Sequence, residues 1–304
     1  MNPKKVYIKN HTGGAGVWIY KGYQRAWESL GYETIFYSSL EEINSEKDSY
    51  YLMGLDSDVD TQSSLDKVKN SYKAFLYAAP NSFPFPWGSH PNFKCACSPE
   101  FIEELNKLVN VILWSFGHTS EYHPKWKKLW TVPLAFDSLS YEKCETSNPS
   151  PDVYFVGGWA DNGFDEKRKI LIDTFNEFEG TELFCALFVN KSLTHQQETE
   201  LMYNSKVALN VHDAYQRILG TDVNERTFKT LGSTGILVSD DVKCLDEFNF
   251  VIARENDPKK YVEAVEKYVF DTEEKELLKI KEHNINEILT KHTYISRVNS
   301  LLEM

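Results

Sequence analysis

The sequence lacks the features that mark several large classes of protein. No run of about 18 uninterrupted apolar residues occurs, so no segment is predicted to span a bilayer. The first ten residues, MNPKKVYIKN, contain no apolar stretch long enough for a signal peptide. The 5 cysteines are scattered and odd in number, which argues against a disulfide framework. We therefore expect a cytoplasmic protein whose thiols are reduced.

Positive charge is also scarce. The 33 Lys and Arg residues are outnumbered by 45 Asp and Glu residues, which gives a net charge of −12 and a pI near 5.2. This balance argues against a surface that coats nucleic acid, so no nucleic-acid partner is expected. One short basic and aromatic segment, HPKWKKLW (123–130), permits a peripheral membrane contact or an acidic acceptor. A solvated helix face with apolar anchors explains the same segment.

Two common nucleotide-binding fingerprints are missing. In the turn TGGAG (12–16), Gly14, Ala15 and Gly16 are followed by Ile19 where a dinucleotide-binding motif requires its third glycine, and no Walker lysine follows. An oxidoreductase that uses a nicotinamide cofactor and a P-loop nucleotidase are therefore both disfavoured. Gly13 and Gly14 still follow a predicted strand, where glycine lets the backbone approach a ligand, although a plain tight turn is an equal alternative.

The order of elements predicts an α/β protein of two domains, as the length of 304 residues also suggests. Short apolar runs alternate with helical patterns in both halves, and each half begins with a strand that runs into a glycine-rich turn. Between them, residues 131–152 are rich in Ser, Pro and Asn, as an interdomain linker often is. We predict an N-terminal domain over 1–137, a second domain over 150–290 and a terminal helix over 291–304.

The stretch DVNERTFKTLGSTGILVSDD (222–241) combines polar residues with a helix start and a buried strand. Asn224 or Asp222 can cap a helix that begins near Glu225. Arg226 then stands in the first turn, where the helix dipole favours an anion, and this placement makes sense if an anionic ligand lies there. Glu225 can accept hydrogen bonds from the vicinal hydroxyls of a ribose. The alternative is a solvated helix start with an incidental pair of charges.

With these residues in view, the sequence resembles nucleotide-sugar glycosyltransferases of the GT-B fold. It is similar to the "glycosyl transferases group 1" type that occurs in spore-maturation-like proteins, over most of residues 150–302. The resemblance rests on four motifs that occur in the family's order: DVYFVGGW with EKRKILIDTF, YNSKVALNVHD, NERTFKTLGSTGILVSDD and HTYISRVNSLL. The third motif also resembles the donor motif of α-1,3-fucosyltransferases, in which a Glu-Lys pair precedes a helix that ends in glycine. The N-terminal half matches only in plan.

The resemblance implies two Rossmann-like domains with a donor cleft between them and a terminal helix that returns to the first domain. It implies that Glu225 binds the ribose and Arg226 the diphosphate of a sugar nucleotide. Gly157 and Gly158 would line the opposite wall, and Arg168 is a further phosphate candidate. The related enzymes usually carry a glutamate directly after the Phe of this helix, whereas this chain has Lys229, which could add positive charge for the pyrophosphate.

The implied activity is transfer of a sugar from a nucleoside-diphosphate sugar to an acceptor that the sequence does not identify. We expect no cofactor and no essential metal. The acidic triplet Asp56-Ser57-Asp58 resembles a metal-binding motif of another glycosyltransferase fold, but the surrounding elements do not fit that fold. Asp240 and Asp241 are interpreted as caps of the next helix. The alternative function is a nucleotide-sugar-binding protein without catalysis.

A catalytic base is needed if the transfer inverts the sugar's configuration. His11 directly precedes TGG at the end of the first strand, where some inverting GT-B enzymes place their base, so His11 is the candidate. A packing or surface histidine is the alternative. His118 and His123 are rival candidates. The acceptor is expected near the segment NSFPFPWGSH (81–90) or the loop after Trp114.

Overall fold

The structure is a computed structural model that describes residues 2–78, 97–146, 149–159 and 166–304. By contacts, the chain divides into two compact units. Unit 1 comprises Met1–Pro133 and Tyr294–Met304, and unit 2 comprises Leu134–Thr293. The predicted acceptor segment 81–90 lies outside the described residues.

Unit 1 contains a parallel sheet with the strand order β2-β1-β3-β4-β5-β6. Its strands are β1 (Lys5–Lys9), β2 (Glu33–Tyr37), β3 (Tyr51–Leu55), β4 (Lys73–Tyr77), β5 (Val111–Ser115) and β6 (Trp130–Thr131). Its first three helices are α1 (Gly16–Ser29), α2 (Gln62–Asn70) and α3 (Pro99–Leu105). The central strands read as nearly continuous apolar runs because helices cover a parallel sheet on both faces.

Unit 2 contains a second parallel sheet, with the order β11-β10-β9-β7-β8. Its strands are β7 (Val153–Gly157), β8 (Cys185–Val189), β9 (Val207–Asn210), β10 (Leu237–Ser239) and β11 (Ala253–Arg254). Its helices are α4 (Glu166–Asn176), α5 (His195–Asn204), α6 (Ala214–Leu219), α7 (Glu225–Ser233), α8 (Pro258–Glu266) and α9 (Glu274–Lys291). The two sheets confirm the predicted α/β class.

The terminal helix α10 (Tyr294–Glu303) packs on α1 within unit 1. The ring of Tyr294 lies against Gly22, where an added Cβ would overlap it. The rings of Tyr23 and Tyr294 have centroids 4.9 Å apart at an interplanar angle of 62°. Nε of Arg297 donates to the carbonyl oxygen of Pro133 at 2.7 Å. Glycine at position 22 therefore allows the close approach of the two helices.

The apolar segment FNFVIA (248–253) is not a strand over most of its length, because β11 contains only Ala253 and Arg254. Phe248 and Phe250 instead stack on each other, with centroids 5.0 Å apart, and both rings lie beside Phe228. The aromatic content that suggests a strand is thus explained by packing against α7. Among the described residues, no helix is long and apolar enough to cross a bilayer.

Candidate functional site

Polar side chains and glycine gather at the carboxyl edge of the sheet in unit 2. Strand β7 ends at Gly157, β9 at Asn210 and β10 at Ser239, and these strands are parallel neighbours. Helix α7 begins directly beside them at Glu225. In open parallel α/β sheets, this edge is where ligands bind.

Asn224 fixes the start of α7. Its Oδ1 accepts from the backbone N–H of Thr227 at 3.2 Å, which confirms it as the helix cap. Its Nδ2 donates to Oδ1 of Asn210 at 2.9 Å. Asn210 in turn donates to the hydroxyls of Thr227 and Ser239, at 3.1 Å and 3.2 Å. This network ties the first turn of the helix to two strand ends.

Arg226 bridges the helix and the strands. Its Nε donates to the carbonyl oxygen of Val156 at 2.8 Å, and its Nη1 donates to Oδ1 of Asn210 at 3.2 Å. The guanidinium also lies over the ring of Phe155, 4.8 Å from its centroid. No carboxylate of a described residue forms an ion pair with Arg226. Burial lowers its pKa, which Asp213 and Glu225 oppose, but an arginine remains charged in any case.

Gly157, the last residue of β7, and Gly158 lie too close to neighbouring side chains to carry a side chain of their own. A Cβ at residue 157 would overlap Nη2 of Arg226, and a Cβ at residue 158 would overlap the side-chain amide of Asn190. That amide accepts from the backbone N–H of Trp159 at 3.1 Å, and the backbone N–H of Asn190 donates to the carbonyl of Gly157 at 2.8 Å. Gly157 and Gly158 therefore permit close packing, and their role toward a ligand stays a prediction.

Glu225 is the other charged residue at the helix start. Its carboxylate is partly buried and has no hydrogen-bond partner among the residues that the structure describes. Burial raises its pKa, while Lys229 and Arg226 oppose that rise. A partly buried carboxylate with open acceptor positions is suited to accept hydroxyl groups from a ligand.

Lys229, one turn further along α7, already has a partner. Its Nζ lies 2.5 Å from Oε1 of Glu198 on α5, and it also lies over the ring of Tyr141 at 5.8 Å from the centroid. The ion pair satisfies the ammonium without a ligand. Binding of pyrophosphate by Lys229 stays a prediction, and it would have to compete with Glu198.

The helix α4 carries a cation that the sequence analysis missed. Arg168 is exposed and lies over the ring of Trp159 at 5.7 Å. Its neighbour Lys167 is instead only 6% exposed, and its Nζ forms an ion pair with Oδ1 of Asp213 at 2.7 Å. Burial lowers the pKa of Lys167, the charge of Asp213 opposes this, and the charge of Arg226 lowers it further. The positive charges of Lys167 and Arg226 therefore act on each other, and both act on the carboxylate of Asp213.

The spacing of apolar residues along α4 indicates that Lys167 lies on the buried face of the helix. It shares the buried face of α4 with Leu171 and Thr174, at the i+4 and i+7 positions. A lysine on the apolar face of an amphipathic helix needs a partner, which is a signal of function or of an ion pair.

Asp240 is not a helix cap, so that interpretation was wrong. Its Oδ1 lies 2.7 Å from Nδ1 of His212, and its Oδ2 accepts from Nη1 of Arg217 at 3.0 Å. Burial works against ionisation of this carboxyl, but His212 and Arg217 outweigh it, so its pKa is lowered. The next helical turn, Lys243–Glu247, has no side-chain cap. Asp240 instead holds His212, which is fully buried behind the helix start.

The remaining predicted residues lie in unit 1. His11 follows β1, and its ring centroid is 4.2 Å from that of Tyr20. Its Nε2 is buried without a hydrogen bond to any described residue, and burial lowers its pKa, which Asp58 opposes. Gly13 and Gly14 are exposed, and an added Cβ would meet nothing at either position. Only Gly14 needs glycine for its conformation, because its φ is +62°.

The acidic triplet after β3 has a structural role. Oδ1 of Asp58 forms an ion pair with Nζ of Lys9 at 2.5 Å, and Oδ2 accepts from the hydroxyl of Tyr37 at 3.1 Å. Oδ2 also accepts from the backbone N–H of Leu55 at 3.0 Å. These partners tie the strand ends of β1, β2 and β3 together.

Part of the sequence and the fold of the chain are similar to those of known proteins. Residues 160–303 match a family model described as "Glycosyl transferase-like". The fold is similar to that of AviGT4, a glycosyltransferase involved in avilamycin A biosynthesis, with 10% identity, a TM-score of 0.55, and coverage of 99% of this chain and 96% of AviGT4. Residues 160–303 are therefore similar to glycosyl transferase-like proteins, and the chain has the GT-B fold. No curated protein sequence matches it.

Two further structures support the GT-B fold. An α,α-trehalose-phosphate synthase (UDP-forming) from Burkholderia vietnamiensis has 10% identity and a TM-score of 0.52, over 99% of this chain and 96% of that one. TarM has 12% identity and a TM-score of 0.51, over 87% of this chain, and the aligned part spans 56% of TarM. These structures confirm the predicted fold class, and the match over residues 160–303 confirms the predicted family resemblance for that part of the chain.

Proposed function

We propose that this glycosyltransferase-like protein moves a sugar from a nucleoside-diphosphate sugar to an acceptor, and that unit 2 binds the donor. The proposal rests on one observation. The guanidinium of Arg226 has no carboxylate ion-pair partner and the carboxylate of Glu225 has no hydrogen-bond partner among the described residues, and the two lie side by side at the start of α7. A sugar nucleotide carries the groups that would complete both: a diphosphate and a ribose.

The diphosphate would lie near Arg226 and Lys167. Lys167 forms an ion pair with Asp213, whereas Arg226 forms none with a described residue, although the charges of Asp213, Glu225 and Glu198 act on it. The guanidinium of Arg226 is therefore the cation that is open to an anion. The free N–H groups and the dipole at the start of α7 add to the attraction for an anion. As the sugar leaves, the same groups would stabilise the charge that develops on the nucleoside diphosphate.

Two positively charged groups and a helix N-terminus can supply the charge stabilisation that a metal gives in other phosphate sites. We therefore propose transfer that does not require a metal. The ribose hydroxyls would donate to Glu225, which accepts them without giving up an existing bond. In unit 1, His11 stays the candidate base, since its lowered pKa keeps the ring neutral at neutral pH.

A thermal-shift screen tests the donor site. The chain would be measured with UDP, GDP, TDP, CMP and NAD, each with and without EDTA. Stabilisation by one nucleoside diphosphate that survives EDTA, and that is lost in Arg226→Gln and in Glu225→Gln, is the expected result. Arg254→Gln and Glu282→Gln serve as matched controls, because Arg254 lies in a surface ion pair with Asp246 and Glu282 is exposed. No response to any diphosphate, or an equal response in all variants, would reject the site.

A nucleotide-sugar-binding protein without catalysis is the second candidate. The observation that favours it is the ion pair of Lys229 with Glu198, at a position where related enzymes usually have a glutamate. Measuring release of the nucleoside diphosphate from its sugar ester, with a broad panel of acceptors, separates the two. Tight binding of the donor without release under any condition would support the binding protein.

A further inference from the structure

A cavity opens in unit 2 at the C-terminal end of helix α7, whereas the proposed donor site lies at its N-terminal end. It has a volume of about 430 Å³ and lies between the segment that follows Leu134, the last turn of α7 and the outer face of α9. The volume falls in the range of about 300–1,000 Å³ that is typical of small-molecule sites. Because Gly232 and Ser233 line it, the cavity lies ~10 Å along the helix from Arg226.

Two lysines line this cavity, and neither has an acidic partner. Lys281 lies on α9, and Lys143 lies in the segment between Leu134 and strand β7. Neither lysine forms an ion pair or a hydrogen bond with any described residue. They are close enough for the charge of Lys143 to lower the pKa of Lys281, after the larger effect of burial. Glu142 also borders the cavity, and its charge helps to raise the pKa of Tyr203, but it forms no ion pair with either lysine.

The position of Lys281 is set by the end of α7. Gly235 has a φ of +78°, and a Cβ there would lie 2.7 Å from Cγ of Lys281 and 3.0 Å from its Cα. The stem of the lysine therefore packs directly on the glycine, and the residue lines the cavity. A partly buried lysine that is held in place and lacks a counter-ion costs stability, and an anion that binds there would recover it.

The walls of the cavity are largely apolar. They are formed by Phe136, Tyr141 and Tyr203 on one side, and by Ile285 and Leu289 of α9 on the other. Leu289 is 48% exposed although it borders a cavity of this size. An occupant with an apolar body would cover this surface.

We propose that this cavity binds a phosphate monoester that carries an apolar group, with the phosphate between Lys143 and Lys281. Two ammonium groups match the charge of a monoester, which is close to −2 at pH 7. The aromatic and aliphatic walls match the apolar group. The cavity lies at the other end of α7 from Arg226, so it would serve an acceptor, a product or a regulator rather than the diphosphate.

Titration with 1-naphthyl phosphate, followed by its fluorescence anisotropy, tests the proposal on the full chain. Saturable binding is expected, and Lys281→Gln and Lys143→Gln should each weaken it about tenfold or more, since each removes a charge-assisted hydrogen bond. Lys279→Gln is the matched control, because it is an exposed lysine of the same helix that does not line the cavity. Far-ultraviolet circular dichroism would show that each variant is folded.

Three results would overturn the proposal. The first is absence of saturable binding. The second is equal weakening by Lys279→Gln and Lys281→Gln, which would mean a diffuse charge effect. The third is binding that survives Lys281→Gln but is lost in Arg226→Gln, which would place the ligand in the donor site. Inorganic phosphate and 1-naphthol should each bind at least tenfold more weakly than the ester.

The ester could be free or the headgroup of a lipid, and a second measurement separates these sources. Sedimentation with vesicles of phosphatidylcholine that contain phosphatidic acid is compared with phosphatidylcholine alone. Binding to the first vesicles that is lost in Lys281→Gln indicates a lipid ligand. Binding of naphthyl phosphate without vesicle binding indicates a free phosphate ester.

Discussion

The guanidinium of Arg226 occupies the space that a side chain at Gly157 would need. The arginine is held there by the carbonyl of Val156 and the amide of Asn210, so strand β7 and helix α7 fix one cation between them. The absence of a side chain at residue 157 thus determines where the positive charge of the proposed donor site lies.

The first prediction concerns Gly157→Ala. The new methyl group would displace Nη2 of Arg226, which is the end of a flexible side chain, so the stability loss should be about 1 kcal/mol or less. Affinity for the nucleoside diphosphate should nevertheless fall about tenfold or more, because the guanidinium leaves its position. Isothermal titration calorimetry and urea unfolding measure the two quantities.

Gly180→Ala is the control for that experiment. Gly180 has a φ of +83° and no neighbour near its Cβ position, so the change strains the backbone away from the site. It should lower stability without changing nucleotide affinity. A Gly157→Ala variant that binds nucleotide as the native chain does would show that the position of Arg226 is irrelevant.

The second prediction tests the assignment of the ribose to Glu225. Glu225→Gln should weaken binding of the ribonucleoside diphosphate about tenfold, since it replaces a charged acceptor with a neutral amide. Binding of the 2′,3′-dideoxy analogue should change much less. Equal losses for both nucleotides would assign Glu225 to the phosphates or to the fold, and Glu282→Gln should affect neither.

The third prediction concerns Asp240→Asn. The substitution leaves buried His212 and Arg217 without their shared carboxylate, which should lower the free energy of unfolding by about 3 kcal/mol or more. Asp241→Asn is the matched control, because Asp241 is exposed and its ion pair with Arg254 at 3.4 Å should contribute about 0–1 kcal/mol. Similar losses in both variants, measured by urea unfolding, would contradict this account.

The fourth prediction is a dependence of stability on pH that originates at His123. This residue is 5% exposed, and burial lowers its pKa to about 4, below the value of 6.5 that is usual for a histidine. The folded chain therefore binds fewer protons than the unfolded chain between these values. The contribution is complete above pH 6.5 and is lost as the pH falls toward 4, by about 3 kcal/mol in total. His123→Leu should flatten that slope, whereas His118→Gln should not.

The fifth prediction concerns His11. If His11 is the base, His11→Asn should lower kcat by about 10²–10⁴-fold and leave donor affinity unchanged. Its lowered pKa places the acidic limb of the rate profile below pH 6.5, because the ring must be neutral to accept a proton. A native value of kcat in this variant would leave His11 a packing residue beside Tyr20.

The start of helix α7, which carries the proposed donor site, could be predicted because local rules place it. Asn224 is recognisable as a cap from its residue type and from the helical pattern that follows, and the first turn then fixes the neighbourhood of Glu225 and Arg226. The parallel sheets follow from alternation of apolar runs and helices. These features depend on short stretches of sequence, and the sequence alone therefore predicts them.

The partners of those residues could not be predicted in the same way. The pairing of Lys229 with Glu198 spans 31 positions, and that of His212 with Asp240 spans 28. Such contacts depend on how helices and strands pack, which local patterns do not encode. For the same reason the sequence does not indicate that Asp240 pairs with His212, or that the partner of buried Lys167 is Asp213.

The return of α10 to unit 1 sets an order for folding during synthesis. Unit 2 is one continuous stretch, Leu134–Thr293, and all of it is synthesised before Tyr294. Unit 1 is interrupted, and the surface of α1 around Gly22 stays uncovered until residues 294–304 have been made. The last helix of unit 1 is therefore made after the whole of unit 2, so the earlier part of unit 1 must stay soluble with one apolar helix face uncovered until then.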